Sequence, residues 1–464
     1  MEAASDLAGY TAASPPVSVA SDRPLRVGAA IFWAFVIFYG AWLVWRVFLP
    51  LEIDPDEAWN AWQARTAMGA GALYPGQEDL ITNNYPPLSF FILGAGAKLT
   101  GLDLILVGRL AALAGLVAST GAVAALVRQF GGSRPAAGLG AAWYLATMVR
   151  TGAGYVGMND PTHLALGLMA WALVLFVQRR RTGRSTDLAI LLMVVAGFIK
   201  HSLIATPVAA LAWLWLEGDY RKAARATLVG GLASAAGLAA CIAAYGWVFA
   251  DQLLHYKRAY SLRWGWEARQ LLPMGVALAC GLAAVWRRRS AGERFLLIYL
   301  VVGFVVFALG RTGDGVGVNA MFELILAIAV AAAIALDSLQ STWLDRWLSP
   351  ETVKWALLAG MAAIFLHSPD PKAYRFWISP GFHRATALQI QATEAAIGNV
   401  RTLPDPVSCS TTTVCFRAGK RFVYDEFAMD ERVLAGHWSE AQRQRKLVSA
   451  GIKAVGGTDV AGWN

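Results

Sequence analysis

Apolar runs recur along the 464-residue chain near 27–49, 103–127, 136–152, 161–178, 187–199, 202–217, 226–250, 270–286, 294–310, 320–337 and 354–367. A helix needs about 20 mostly apolar residues to cross a bilayer's hydrocarbon layer. The recurrence therefore predicts an α-helical polytopic membrane protein with about 11 transmembrane helices. Composition agrees: the AVILMFWYC set supplies 57% of the residues and charged side chains only 15%. That balance is too apolar for a dispersed soluble globule. The same apolar content, a glycine distribution without strict period and only four cysteines exclude disordered, collagen-like and disulfide-scaffold chains. The stretch 187–217 is too long for one span, and Lys200-His201 at its midpoint predicts a reversal there.

Charge sets the orientation and argues against a nucleic-acid partner. The formal net charge is +9, but the basic residues fall in short clusters between apolar runs, the pattern that orients membrane helices. Clusters near 23–26, 128–134, 179–184, 221–225, 287–294 and 346–354 carry nearly twice the Lys and Arg of the opposite segments, and this side is expected in the cytoplasm. A cytoplasmic tail 1–26, a membrane domain 27–367 and an extracytoplasmic segment 368–464 follow. Residues 1–24 lack the basic, apolar and small-residue succession of a cleaved signal peptide, so the run 27–49 reads as a retained first helix.

Two outer segments are too long to be connectors. Segment 50–101 holds two stretches with helical apolar spacing, 55–69 and 87–99. Both are expected as juxtamembrane helices, with Trp59, Trp62 and Tyr85 in the headgroup zone. The tail holds strand-like runs at Pro406–Phe416 and Lys420–Tyr424, a polar periodic helix at Ser439–Ala450 and a last apolar piece near 452–455, which together predict a small α/β domain. Cys409 and Cys415 lie on the side where disulfides form. A continuous strand would hold them about 20 Å apart, and only a turn between them would permit a bond. Cys241 and Cys280 fall inside spans and read as packing residues. The chain has no internal repeat and no pair of interrupted helices at matching positions, which weighs against an inverted-repeat transporter.

The segment LEIDPDEAWNAW sets Glu52, Asp54, Asp56 and Glu57 just beyond the first span. Such crowding raises at least one pKa, and a carboxylate so placed suits deprotonation of a hydroxyl nucleophile. The same residues also suit a helix start, with Asp54 as cap and Asp56 and Glu57 in the first turn. Asp160, in NDP at 159–161, either caps the following helix, with Pro161 at its first position, or meets Asp56 across a cavity on the same membrane face. Two such carboxylates could divide the work of base and acceptor positioner, or hold a divalent cation such as Mg or Mn. His163 reads as a packed residue. Lys200, His201, His255, Lys257, Arg258, Arg263, Arg269 and Arg311 lie on the outer side against the orientation bias, so an anionic ligand or lipid headgroups should compensate them. Lys200, between apolar helices, and Arg109, inside the second span, are candidates by position. RTGDGVGVNAMFEL places Asp314, Asn319 and Glu323 around a Gly-rich turn, suited either to sugar hydroxyls or to a helix cap. No phosphate-loop, Rossmann, zinc-protease or serine-nucleophile motif stands in its required context.

DPDEAWNAWQARTAMGAGALYP followed by NNYPPLSFFILGAGAKLTG resembles the first outer loop of the GT-C membrane glycosyltransferases. That group includes protein O-mannosyltransferases, lipid A aminoarabinose transferases and lipopolysaccharide-core galacturonosyltransferases. NDP is similar to their second acidic motif, and IKHSLIATPVAALAW resembles the segment whose lysine meets the lipid-linked phosphate. VNAMFELILAIAVAAAIAL resembles their late helix, and PVSCSTTTVCFRAGKRFVYDEFAMDERVLAGHWSE the tail of some bacterial members. Asn84-Tyr85 departs from a commoner His before Pro-Pro, and Asn319-Ala320 from a commoner aromatic.

The resemblance implies inverting transfer of a sugar from a polyprenyl-phosphate donor to an envelope acceptor (glycolipid, polysaccharide or protein) at the outer face of the bacterial cytoplasmic membrane. It implies Asp56 as general base, with Asp160 and Glu57 in the catalytic set. Lys200, with His201, Arg258 and Arg263, would hold the donor phosphate, and Asp54, Tyr85, Asn319 and Glu323 would contact sugar or acceptor. Any metal would rest on Asp56 and Asp160. The same charged cavity would also suit a flippase for lipid-linked sugars, or a polymerase or ligase using a lipid-diphosphate donor.

Overall fold

The computed structural model describes residues 22–76, 78–255, 258–262, 271–287, 290–339, 347–367 and 370–455. In chain order the first helices are α1 (Arg23–Arg46), α2 (Asp56–Arg65), α3 (Leu88–Thr100), α4 (Leu104–Gln129), α5 (Arg134–Thr151) and α6 (Thr162–Arg181). They are followed by α7 (Asp187–Ile199), α8 (Ala205–Leu216), α9 (Tyr220–Tyr245), α10 (Trp247–Leu254), α11 (Gly275–Arg287), α12 (Ala291–Gly310), α13 (Phe322–Asp337) and α14 (Pro350–His367). Every apolar run of the sequence is helical. Among the described residues six helices are long and apolar enough to cross a membrane by length and composition: α1, α4, α6, α9, α12 and the run Val318–Asp337 that contains α13. Helices α3, α7, α8 and the run Leu272–Trp286 are apolar but shorter.

Local chemistry marks the helix ends. The Asp103 carboxylate accepts the N–H groups of Ile105 and Leu106 at the start of α4, and Ser133 and Ser290 do the same for α5 and α12. Such caps satisfy amides that a helix leaves without partners. The reversal after α7 occurs at Lys200, whose backbone is extended. In segment 50–101 α2 runs on into one π-helical turn, Thr66–Ala70, and α3 closes on Gly101 in the left-handed region.

Helix α13 is buried over most of its length and α9 over little. A helix that is apolar all round belongs at the centre of a bundle, and α13 packs there against α5, α11 and α12. Helices α4 and α6 approach closely at glycines, since a Cβ on Gly115 would lie 2.2 Å from the carbonyl oxygen of His163. Small residues at helix crossings permit such approach. Gly115→Val is therefore expected to lower stability by about 1–3 kcal/mol or more. Thermal unfolding in detergent checks this, with Gly154→Ala, which meets open space, as an unchanged control.

The tail departs from its sequence reading. It contains α15 (Pro371–Ile378), α16 (Pro380–Thr402), β1 (Val407–Cys409), α17 (Thr412–Arg417), α18 (Glu426–Leu434), α19 (Glu440–Ser449) and β2 (Lys453–Val455). Strands β1 and β2 pair in parallel, Ser408 opposite Ala454. The expected strand over 406–416 stops at Cys409 because the chain turns into α17. That turn brings the Cys409 and Cys415 Cα atoms to 5.8 Å, and the two form a disulfide. Thr412 and Thr413, strand formers by propensity, instead donate to the Glu52 carboxylate at 2.9 and 2.8 Å. Segment 420–424 is no strand either. Its Lys420 carbonyl accepts Trp62 Nε1 and Arg65, and Phe422 stacks on Trp62 at 4.8 Å. The tail thus lies directly on α2.

Candidate active site

Helix α2 carries two adjacent carboxylates with different surroundings. Glu57 points inward and is fully buried. Arg109 of α4 grips it with Nε and Nη2, 2.7 and 2.6 Å from its two oxygens, and the Ile53 and Asn159 amides donate to the same carboxylate. Arg109 also donates to the carbonyls of Val47, Leu49 and Leu51 at 3.1, 2.7 and 2.6 Å. This pair welds the end of α1, the start of α2 and the loop before α6 into one block. The buried Arg109 is thereby accounted for within the fold, and the structure does not bring Glu57 to the cleft.

Asp56, one residue earlier, is outside that block and exposed. Its amide donates to Asp54 Oδ1 at 3.0 Å. Desolvation pushes the Asp56 pKa up to about 7, the charges of Asp54, Asp160 and Asp425 push the same way, and Lys200 opposes them. Asp54 itself is raised, first by burial.

The two Asp160 oxygens take different partners. Oδ1 accepts the Thr162 amide at 2.7 Å, capping the start of α6, and Oδ2 lies 3.3 Å from Lys200 Nζ. Lys200, buried at the α7–α8 reversal, also sits 3.6 Å from the centroid of the Tyr85 ring. Tyr85 is fixed by backbone bonds to Asn83 and Tyr74 and by edge contact with Trp59 at 5.1 Å. Burial lowers the Lys200 pKa while Asp160 and Asp56 raise it. An ammonium has three donors, and a cation–π contact with one ion pair leaves it able to meet a third partner.

His201 lines an apolar cavity of about 320 Å³ between α7, α8 and α9, with Met193, Phe198, Ile204, Pro207 and Leu238 among its walls. Burial, then Lys200 and Arg258, push the His201 pKa down to about 4. At neutral pH it therefore offers a hydrogen bond and no positive charge. The Arg258 charge acts on Tyr85, Lys200 and His201 alike. Arg263, like Lys257 and Arg269, lies outside the described residues.

Two expected sugar contacts, Glu323 and Asn319, have partners within the fold. Both Glu323 oxygens are occupied at the start of α8, accepting the Ala205 and Thr206 amides at 3.0 and 2.8 Å and the Thr206 hydroxyl at 2.7 Å. A buried carboxylate at a helix N-terminus is well placed for the fold, and this one is not free for a sugar. Asn319 Nδ2 donates to Thr162 Oγ1 at 3.4 Å, and its Oδ1 has no partner. His163 stacks on Phe322 at 5.0 Å and reads as core. Among the described residues no group of three or more His, Cys, Asp or Glu side chains could hold a metal ion. Sequence reasoning missed Asp425, which caps α18 and accepts Trp59 Nε1 and the Thr82 hydroxyl at 3.1 and 3.0 Å. Nothing local in the tail marks it, since its partners are more than 300 residues away.

No family model matches the chain, and no curated protein matches it in sequence. Solved structures do. ArnT from Cupriavidus metallidurans bound to undecaprenyl phosphate is 17% identical with a TM-score of 0.51, over 90% of this chain and 79% of that one. The apo state of the same protein gives 16% and 0.50 over 87% and 77%. The apo oligosaccharyltransferase from Archaeoglobus fulgidus is 14% identical with a TM-score of 0.51, over 87% of this chain and 64% of its own length. The likeness establishes the fold: over most of its length the chain is folded like these proteins.

Proposed function

We propose that this protein is an inverting glycosyltransferase that moves a sugar from a polyprenyl-phosphate donor to a hydroxyl of an envelope acceptor. One observation carries the reading: Lys200, paired with Asp160 and acting on Asp56 by its charge, stands next to His201, which lines the apolar cavity between α7, α8 and α9. A lipid-linked phosphate matches that arrangement, with an apolar tail beside a fixed cation and a carboxylate base. ArnT bound to undecaprenyl phosphate has the same fold.

In this scheme the Asp56 carboxylate takes the acceptor hydroxyl proton, and the oxygen attacks the anomeric carbon as its bond to the phosphate oxygen breaks on the opposite face. Configuration inverts. The departing polyprenyl phosphate carries its charge to Lys200 and Arg258, so no general acid is needed. Asp160 holds Lys200 in place, Tyr85 forms its other wall, and Asp54 keeps the Asp56 pKa high. The donor set offers a divalent cation little, because Asp160 is occupied by Lys200 and the Thr162 amide, and no step is routed through one. Eleven membrane passes, a cytoplasmic N-terminus and an outer tail in a bacterial inner membrane complete the proposal.

Because the base acts ionised, kcat/KM is expected to rise with pH up to about 7 and level off above it. Turnover measured at low donor concentration from pH 5 to 9 checks this. Purified protein offered polyprenyl-monophosphate and polyprenyl-diphosphate sugars should release free polyprenyl phosphate from the former. Strict preference for the diphosphate would overturn the donor assignment, and sugar-lipid translocation in vesicles without release would overturn the enzyme.

A further inference from the structure

Tail helix α18 touches the segment that bears Arg258. The Ala259 amide donates to Glu431 Oε2 at 2.9 Å. The Ala259 carbonyl accepts the Asp314 amide at 2.9 Å, the Ser261 amide donates to the Thr312 carbonyl at 2.8 Å, and Tyr260 pairs with Gly313. Segment 258–261 is thus clamped between α18 and the loop before α13. Helix α18 is itself fixed to segment 50–101: Asp425 accepts Trp59 and Thr82, and Arg432 donates to the Asp79 carbonyl at 3.0 Å.

Glu431 is 1% exposed, and a carboxylate is costly to bury unless it is engaged. Here it meets an amide and the Arg258 charge on one side and the Asp314 carboxylate on the other. Gly313 completes the clamp, since a Cβ there would lie 2.9 Å from Arg258 Cδ. Its glycine leaves the room through which the arginine stem passes.

We infer that Glu431 is a positioning residue for the donor phosphate: by holding the Ala259 amide it fixes the segment that bears Arg258, so the C-terminal segment completes the phosphate site. The inference rests on the proposed donor reading, in which Arg258 shares the phosphate with Lys200. It gives the tail a stated task in donor binding.

The test uses the full chain in detergent and undecaprenyl phosphate as probe, with Kd as readout. Loss of one hydrogen bond to a charged group is expected to weaken binding about tenfold in Glu431→Ala. Gly313→Ala, which displaces Arg258 with α18 untouched, should do the same, as should Arg258→Ala. Glu431→Gln keeps a carbonyl oxygen for the Ala259 amide and should bind within about threefold of wild type. The Glu431→Ala/Arg258→Ala double variant should be no weaker than Arg258→Ala alone, because both act through one guanidinium. Wild-type affinity in both Glu431→Ala and Gly313→Ala, or additive losses in the double variant, overturns the inference and leaves the donor reading standing. A wild-type protein that does not bind the lipid overturns the donor reading and this inference with it.

Discussion

Asp56→Asn is expected to abolish sugar transfer, by about two to four orders of magnitude in kcat, while leaving the protein as stable as the wild type. The residue is exposed, and among the described residues no protein donor holds its carboxylate. The amide has nearly the same shape and cannot accept a proton at neutral pH. Donor binding should survive or improve slightly, because a negative charge near the incoming phosphate is lost. Asp54→Asn sharpens the test. It removes one of the charges that push the Asp56 pKa up, so the rising limb of the pH–rate profile should move to lower pH with the plateau preserved. Single-turnover kinetics and thermal unfolding read the two halves of the expectation separately. A stable Asp56→Asn variant with near-normal turnover would remove Asp56 from the chemistry.

Arg109→Met is expected to have the opposite signature, a loss of fold. It leaves Glu57 buried without its cation and frees the carbonyls of Val47, Leu49 and Leu51. Breaking a buried pair by removing one partner costs about 3–5 kcal/mol, a large part of the usual margin of stability. Expression as a monodisperse species and melting temperature measure the effect. Arg109→Met combined with Glu57→Leu should recover part of the loss, because an apolar pair leaves no stranded charge. Recovery of stability in the double variant, with Asp56 untouched, would assign Glu57 to structure and Asp56 to chemistry.

The two neighbouring acids show where sequence stops being legible. Residues 52–57 announce carboxylates at a helix start beside a membrane, but only helical phase decides that Glu57 turns inward to Arg109 and Asp56 outward. That phase depends on α4, about fifty residues away. The helices were legible because apolar runs of fixed length have one stable solution in a bilayer. The break at Lys200 was legible because a lysine interrupts an apolar stretch too long for one span. The tail was legible only in part: the helix at 439–450 and the last piece near 452–455 are found as α19 and β2, but residues 406–416 have strand-forming composition and the disulfide and the Glu52 contacts redirect 412–416 into α17. Glu323 is a related case. Its carboxylate was read against its own Gly-rich turn, while its partners, the α8 amides, come from a helix more than 100 residues earlier.

A map of the protein with undecaprenyl phosphate bound tests the arrangement most directly. The account expects the isoprenoid between α7, α8 and α9, with its phosphate against Lys200 and within reach of Arg258, and Asp56 across the cleft from the phosphate. A phosphate seated away from Lys200, or a lipid in another groove with Asp56 facing bulk water, would contradict it.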